Sequence, residues 1–429
     1  MKNFQLIILI AFIAFAIFGI LVFSGAIPIG KNQGEGSLGT VVIWGTVNGN
    51  IMTSLLEEVN NANPTLTIKY VQKSANSFEQ NLLEALASGV GPDMIFLPDN
   101  LAFHFSNKIM SIPYQSYPLA SFQNNFAGAG NVFLTSKGIL AFPLSIDPLM
   151  MYYNKSMLDA SGVVDPPASW DDLVSLISQL TKKDNSNKII KSTVALGHFS
   201  NINHAKDILA TLFMQKGNGI VAENNGVFSS TLASVSGNFN LPSILKFYTD
   251  FSDPNQDVYS WNKSFPNSVD AFSKEDLVFY FGYASELSFL INRNPNQNIG
   301  IASVPQIKNT NFKLTDGHVT GIALLASSKN VNTAFTAASL LATGNFASKF
   351  ALAFGLAPAR RDLLKLKPAD AFSPIFYNSA LYARSWLDPS PTDTDNIFRN
   401  MIDSVISNNM TADNAISDAG SKLDLLLSR

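Results

Sequence analysis

The chain has 429 residues, 46% hydrophobic and 14% charged, which suffices for roughly two to three domains with a sizeable core. Its 29 Lys and Arg residues nearly balance its 32 Asp and Glu residues, so the formal net charge is −3. This balance argues against a nucleic-acid-binding protein, and the absence of Cys excludes disulfide scaffolds, thiolate metal sites and cysteine nucleophiles.

An uncharged apolar segment lies near the N-terminus. It runs from Leu6 to Phe23, and a helix begun at Phe4 would span about 30 Å, the thickness of one hydrocarbon core. Lys2 precedes it and the next charge is Lys31, so the positive-inside rule places the N-terminus in the cytoplasm. We predict one transmembrane anchor through residues 4–23 and a flexible tether, residues 1–36 in all. The rest of the chain would then be extracytoplasmic at the cell membrane.

The alternative is a cleaved signal peptide, because the small residues Ser24, Gly25 and Ala26 resemble a cleavage site. The apolar run is longer than a usual signal-peptide core, which favours the anchor. Both interpretations export the remainder of the chain.

Strands and helices are predicted to alternate after the tether. Residues 40–44 and 93–97 are short apolar runs, and residues 65–71 alternate in polarity like a strand. Helical spacing of apolar residues occurs in residues 51–59 and 78–86. This order predicts an α/β sheet, whose ligands lie beyond the carboxyl ends of parallel strands.

Polar side chains follow two of these strands. Thr46 and Asn48 come after the first, and Asp99 and Asn100 come after the third, which makes them candidate ligand-binding residues. Asp99 and Asn100 have the alternative role of capping the next helix. Trp44 ends the first strand and is a candidate for stacking on a sugar ring, with a core position as the alternative.

Helix caps and turns are recognisable further along the chain. Ser169, with Asp172 three residues later, predicts a capping box at the start of a helix, and Thr411 is predicted to cap the last helix. The polar segment 390–396 contains proline and is predicted to be a loop rather than a site.

Motifs for catalysis or metal binding are not found. The histidines are His104, His198, His204 and His318, and no two of them have a metal-ligand spacing. The G-x-S-x-G, H-E-x-x-H and Walker patterns are absent. We therefore predict no enzyme activity, no cofactor and no metal site.

Five segments carry further patterns in a fixed order. They are residues 91–96 (GPDMIF), 143–155 (PLSIDPLMMYYNK), 166–173 (PPASWDDL), 271–283 (AFSKEDLVFYFGY) and 355–360 (GLAPAR). Together they resemble the family 1 extracellular solute-binding proteins of ABC importers, the group of the maltose-binding protein. Lys274 and Glu275 stand where that family usually has Gly. The family's lipidated Cys is also missing, which favours the apolar helix as the attachment.

The resemblance implies a periplasmic-binding-protein-like α/β fold, with two lobes that close on a ligand in a central cleft. The N-lobe would comprise residues 37–145 and 300–347, and the C-lobe residues 146–299 and 348–429. The protein would be a monomer that captures a small molecule and delivers it to the transmembrane subunits of an ABC permease. An oligosaccharide is the favoured ligand, and a polyamine, metal chelate, phosphate ester or peptide is the alternative.

The resemblance also assigns ligand-binding residues. Asp147 lies where the family places a hinge carboxylate that accepts sugar hydroxyls, with helix capping as the alternative. Tyr283 and Trp386 lie in segments that usually border the cleft, with simple packing as the alternative. The remaining candidates, which would line the cleft through backbone or guanidinium, are Gly321, Pro358 and Arg360. For Arg360 a surface ion pair is the competing interpretation.

Two other functions stay open. A ligand-sensing partner of a membrane receptor would share this fold, and the absence of permease genes nearby would favour it. A secreted glycan-active enzyme would need two carboxylates about 5–10 Å apart across the cleft, and turnover of a bound sugar would reveal it.

Overall fold

The computed structural model describes residues 38–232 and 240–428. The anchor and tether predicted for residues 1–36 lie outside this part of the chain. Within it, every helix is too short or too polar to cross a membrane.

The strands are numbered in chain order. They are β1 Gly39–Gly45, β2 Leu66–Gln72, β3 Met94–Pro98, β4 Leu134–Thr135, β5 Gly138–Ile139, β6 Phe142–Asn154, β7 Lys182–Lys183, β8 Ile189–Val194, β9 Val221–Asn224, β10 Val227–Ser230, β11 Leu277–Tyr283, β12 Ile299–Ser303, β13 Thr315–Leu324, β14 Ala357–Pro358 and β15 Ala383–Arg384.

The helices are numbered in the same way. They are α1 Gly49–Ala62, α2 Phe78–Ala87, α3 Ala102–Phe105, α4 Leu119–Asn125, α5 Lys155–Ala160, α6 Trp170–Leu180, α7 Ala205–Gln215, α8 Leu241–Asp250, α9 Ser268–Ser273, α10 Leu287–Arg293, α11 Val331–Thr343, α12 Asn345–Ala353, α13 Arg361–Leu364, α14 Ser373–Ala380, α15 Pro391–Ile406 and α16 Ala412–Leu427. Short 3₁₀ helices are Ala75–Ser77, Asp99–Leu101, Gly128–Phe133 and Ala284–Glu286.

The first half of the sheet confirms the predicted alternation of strands and helices. β1 lies between β2 and β3 and is parallel to both. Val41 and Ile43 alternate with less buried residues along β1, whereas β3 is buried on both faces and reads as a continuous apolar run. β13 continues the sheet beyond β3 in the antiparallel direction.

One long strand, β6, connects this half to the second. Residues 142–148 of β6 pair with β13, and residues 149–154 lie between β11 and β12. The path through the sheet is β2-β1-β3-β13-β6-β11-β8-β7. The molecule is thus a two-lobe α/β fold in which β6 is shared.

The lobe boundaries remain a prediction. β12 pairs with the second half of β6, which favours assigning residues 299–303 to the C-lobe. Lys349 on α12 pairs with Glu58 on α1 at 2.5 Å between Nζ and Oε2, which favours assigning α12 to the N-lobe.

The two predicted helix caps are confirmed. Ser169 and Asp172 form a reciprocal capping box at α6, and Thr411 accepts a hydrogen bond from the backbone N of Asn414 at α16. The loop predicted at 390–396 is wrong, because α15 begins at Pro391. Proline fits the first turn of a helix, where its missing N–H costs nothing.

Candidate ligand-binding cleft

A cavity of about 520 Å³ lies between segments of both predicted lobes. One wall comes from residues 102–111 and 128–140, which follow β3 in the first half. The opposite wall comes from the β9–β10 hairpin and from residues 384–387. Its size matches that of small-molecule binding sites.

Aromatic rings and neutral polar groups line this cavity. Phe103 and Phe228 meet edge to face across it, with ring centroids 5.8 Å apart. Trp386 stacks on Phe398 and leaves 8% of its surface exposed. The hydroxyl and amide side chains of the lining are Ser106, Asn107, Ser111, Asn131, Thr135, Ser136 and Ser385. Apolar faces beside such groups suit the C–H and O–H faces of sugar rings.

The β9–β10 hairpin touches the wall that contains residues 128–140. Glu223 accepts a hydrogen bond from the backbone N of Ser136, with 3.2 Å between N and Oε1. The hairpin therefore closes one side of the cavity by contacts between segments of the two predicted lobes.

A second cavity of about 170 Å³ adjoins the first and is strongly charged. Ser385 and Trp386 line both cavities. The charged residues around the smaller one are Asp99, Lys206, Asp207, Asp316, His318, Asp388 and Asp395.

An ion pair of His318 and Asp99 joins β13 to the end of β3. His318 Nδ1 lies 3.3 Å from Asp99 Oδ2, and the Ser385 hydroxyl donates to the same carboxylate oxygen. Burial opposes the positive charge, but Asp99, Asp207 and Asp316 outweigh it and raise the pKa of His318 to about 10. At neutral pH this site therefore carries an imidazolium among carboxylates.

Two carboxylates face each other beside this pair. Donor atoms of Asp207, Asp316 and His318 all lie within 4.8 Å of one another. Burial and the charge of Asp207 raise the pKa of Asp316 to about 7, although Tyr283 donates a 2.7 Å hydrogen bond to it. Of the described residues, these three are the set close enough to hold a metal ion. The positive charge of His318 opposes a cation there.

The sequence candidates fall into two groups. Asp99, Asn100 and Trp386 line the cavities, and the buried Oδ1 of Asn100 has no hydrogen-bond partner among the described residues. Trp44, Thr46 and Asn48 do not line either one. Lys73 Nζ sits 3.6 Å from the ring centroid of Trp44. The Asn48 side chain caps α1, and Thr46 is exposed.

Asp147, Tyr283 and Gly321 also lie outside the linings of both cavities. Both carboxylate oxygens of Asp147 accept from Ser285. Tyr283 is buried, and its ring lies 4.6 Å from that of His318. Gly321 packs so closely on Phe133 that a Cβ would lie 2.7 Å from its ring. Ligand contact by these residues stays a prediction.

Pro358 and Arg360 occupy structural positions. Pro358 is buried and pairs with Ser145 of β6. Arg360 binds the carboxylate of Asp362 with two hydrogen bonds of 2.9 and 2.7 Å. Neither residue lines the described cavities.

Sequence reasoning missed Phe103, Phe228 and Arg384. Phe103 follows Asp99 and Asn100 in the short helix α3, so its proximity to a strand end was a usable signal. Arg384 is two residues from Trp386. Phe228 lies on a polar hairpin, and nothing in its local pattern marks it.

Comparison with known proteins identifies a matching family and structures of the same fold. A family model described as bacterial extracellular solute-binding protein matches residues 54–371. A Brucella abortus protein described as a binding protein is 25% identical over 125 residues. That match covers 27% of this chain and 30% of the relative's length.

Solved structures match over nearly their whole length. A cyclo/maltodextrin-binding protein complexed with maltotetraose has a TM-score of 0.72 at 17% identity, covering 92% of this chain and 98% of that one. The sugar-binding protein MalE of Xanthomonas citri has a TM-score of 0.71 at 16% identity, covering 91% and 98%. The GacH receptor of Streptomyces glaucescens, solved unliganded and with acarbose, has 0.66 at 18%, covering 91% and 98%. At these identities the likeness shows the fold.

Proposed function

We propose that this chain, which belongs to the bacterial extracellular solute-binding proteins, captures an oligosaccharide between its lobes and delivers it to an ABC importer. One observation carries the proposal. The cavity of about 520 Å³ opens between segments of both predicted lobes and combines the rings of Phe103, Phe228 and Trp386 with neutral hydroxyl and amide groups. Aromatic rings pack on the C–H faces of a sugar, and hydroxyl and amide groups form hydrogen bonds with its hydroxyls.

The relatives support a saccharide ligand. Proteins of the same fold were solved with maltotetraose, with acarbose and with mannobiose. The cavity of about 520 Å³ accommodates a small saccharide rather than a polymer.

Capture would work by hinge closure. β6 is shared by both halves, so bending within it would rotate one half against the other. The contacts of Glu223 with Ser136 and of Phe228 with Phe103 join the walls when the cavity is closed. A ligand that touches both walls stabilises this closed state, which the permease would then engage.

The protein would work at the membrane without chemistry of its own. Residues 4–23 are the proposed anchor, with the ligand-binding part outside the cytoplasm. We propose no catalytic step.

Calorimetric titration of the purified full chain tests the proposal. A detergent without a sugar headgroup is needed, because maltoside headgroups would compete. In an unfolding measurement on the same protein, oligosaccharide at 100 times its Kd should raise the free energy of unfolding by about 2.7 kcal/mol. The sugar should be recovered intact. Turnover of the sugar would indicate a glycan-active enzyme, and failure of every saccharide to bind a folded protein would refute oligosaccharide capture.

A further inference from the structure

Arg384 places a guanidinium in the wall of the cavity of about 520 Å³, which is called the main cavity below. Its residue pairs in β15 with Asp316 of β13, and its side chain lies against the backbone of Gly128. A Cβ at position 128 would overlap the Arg384 guanidinium. The φ of Gly128 lies outside the left-handed region, so backbone conformation does not demand glycine there. The absence of a Cβ at Gly128 leaves the space in which the Arg384 guanidinium lies, although this flexible side chain could move aside for a Cβ.

This guanidinium has no acidic partner among the described residues. Its one hydrogen bond there runs from Nη1 to its own backbone neighbour, the carbonyl of Ala383, at 2.9 Å. A guanidinium has five N–H donors arranged as a planar fork, so most of them are left for another group.

The surrounding charges leave room for an anion. Two cations, Lys137 and Arg384, and one carboxylate, Glu223, line the main cavity. Glu223 already accepts from the backbone of Ser136. Partial burial and the nearby charge of Arg361 lower the pKa of Arg384. An anion bound here would offset both effects.

Building on the proposed oligosaccharide function, we propose that the bound saccharide carries an oxyanion and that Arg384 binds it. The expected group is the carboxylate of a uronic acid, which the planar guanidinium fork matches with two parallel hydrogen bonds. A sulfate or phosphate ester on a sugar offers the same chemistry. The aromatic rings of the cavity would hold the sugar faces, and Arg384 would select the charge.

The test compares ligands that differ only in charge. The full chain, in a detergent without sugar headgroups, is titrated calorimetrically with uronic-acid trisaccharides and with their methyl esters, which keep the skeleton and remove the charge. Neutral and sulfated trisaccharides complete the panel. The wild type should bind the acid at least about tenfold more tightly than the ester, the scale of one charged hydrogen bond.

Three variants locate the effect. Arg384→Gln should abolish the preference for the acid while changing affinity for the ester by less than about threefold. Lys137→Gln, a cation in the same cavity, should keep most of the preference. Arg384→Lys retains the charge without the planar fork and should keep part of the preference for the acid. It serves as the test if Arg384→Gln does not fold.

Each outcome decides. Preference for the sulfated over the carboxylated sugar would support binding of an oxyanion by Arg384 and would identify that oxyanion as a sulfate ester rather than a carboxylate. Equal affinity for acid and ester, or an undiminished preference in Arg384→Gln, would overturn this inference while oligosaccharide capture stands. Failure of both charged and neutral saccharides to bind would overturn the proposed function, and this inference with it.

Discussion

Ser285 donates hydrogen bonds to both carboxylate oxygens of Asp147. Its backbone N lies 3.0 Å from Oδ1, and its hydroxyl Oγ lies 2.6 Å from Oδ2. Asp147 lies on β6 next to the point where the strand passes from β13 to β11. Ser285 lies in the 3₁₀ helix that follows β11. The pair therefore ties the shared strand to the second half of the sheet.

Asp147→Asn should destabilise the protein more than it weakens binding. An amide nitrogen would face one of the Ser285 donors, so a loss of about 1–3 kcal/mol in the free energy of unfolding is expected. Affinity for the saccharide should change by less than about twofold. Urea unfolding and calorimetric titration measure the two. Intact stability with a large loss of affinity would instead support the ligand contact that the family resemblance implies.

Trp386→Phe should weaken saccharide binding, because Trp386 lines both cavities. Phenylalanine keeps an aromatic ring against Phe398 but removes the indole face, for an expected loss of about 1 kcal/mol in binding. Trp44→Phe is the matched control, because Trp44 lies outside both linings beneath Lys73. Titration of both variants with the same sugar decides. A larger effect at Trp44 would show that the ligand lies beyond the first strand.

Lys206→Met should be strongly destabilising. Lys206 Nζ lies 3.0 Å from Asp388, whose side chain is 8% exposed, and 2.7 Å from Asp395, whose side chain is 47% exposed. Removing the cation leaves a buried carboxylate unpaired, which costs about 3–5 kcal/mol. Asp395→Asn removes the exposed partner and should cost less than about 1 kcal/mol. Equal losses in the two variants would contradict this assignment.

Stability should decline between about pH 6.5 and 10 in part through His204. Its Nε2 lies 2.6 Å from Glu286 and its Nδ1 3.6 Å from Asp207. Burial opposes the charge, but both carboxylates outweigh it and raise the pKa of His204 from 6.5 to about 10. The folded state then holds a proton that the unfolded state has lost. The ion pair stabilises fully below about pH 6.5, and its contribution is lost as the pH rises through about 10.

The variant His204→Gln tests this pH dependence. It should lower stability near neutral pH by about 2 kcal/mol and flatten the decline towards pH 10. Urea midpoints across this range measure the effect. His104→Gln is the control, since that ring is half exposed and 3.9 Å from Glu79. An unchanged slope in His204→Gln would show that other groups, such as His318, account for the pH dependence.

Local sequence patterns determined the elements that depend on neighbours along the chain. The alternation in β1, the apolar run of β3 and the capping box of Ser169 and Asp172 follow from side-chain period and short-range hydrogen bonds. The segment 390–396 is not determined by local pattern, because proline is compatible with both a loop and the first turn of a helix, and packing chooses between them.

The cleft depended on contacts between residues distant in sequence. The family resemblance predicts Trp386 as a cleft residue, and the position after a strand predicts Asp99 and Asn100. Local pattern could not show three contacts. The ring of Phe228 packs on that of Phe103, Ser285 donates to the carboxylate of Asp147, and the Arg384 guanidinium lies against the backbone of Gly128. Each of these pairs joins segments that only the folded sheet brings together. Sequence periodicity thus determined the α/β elements, and tertiary packing decided which polar groups are already bonded and which face the cavity.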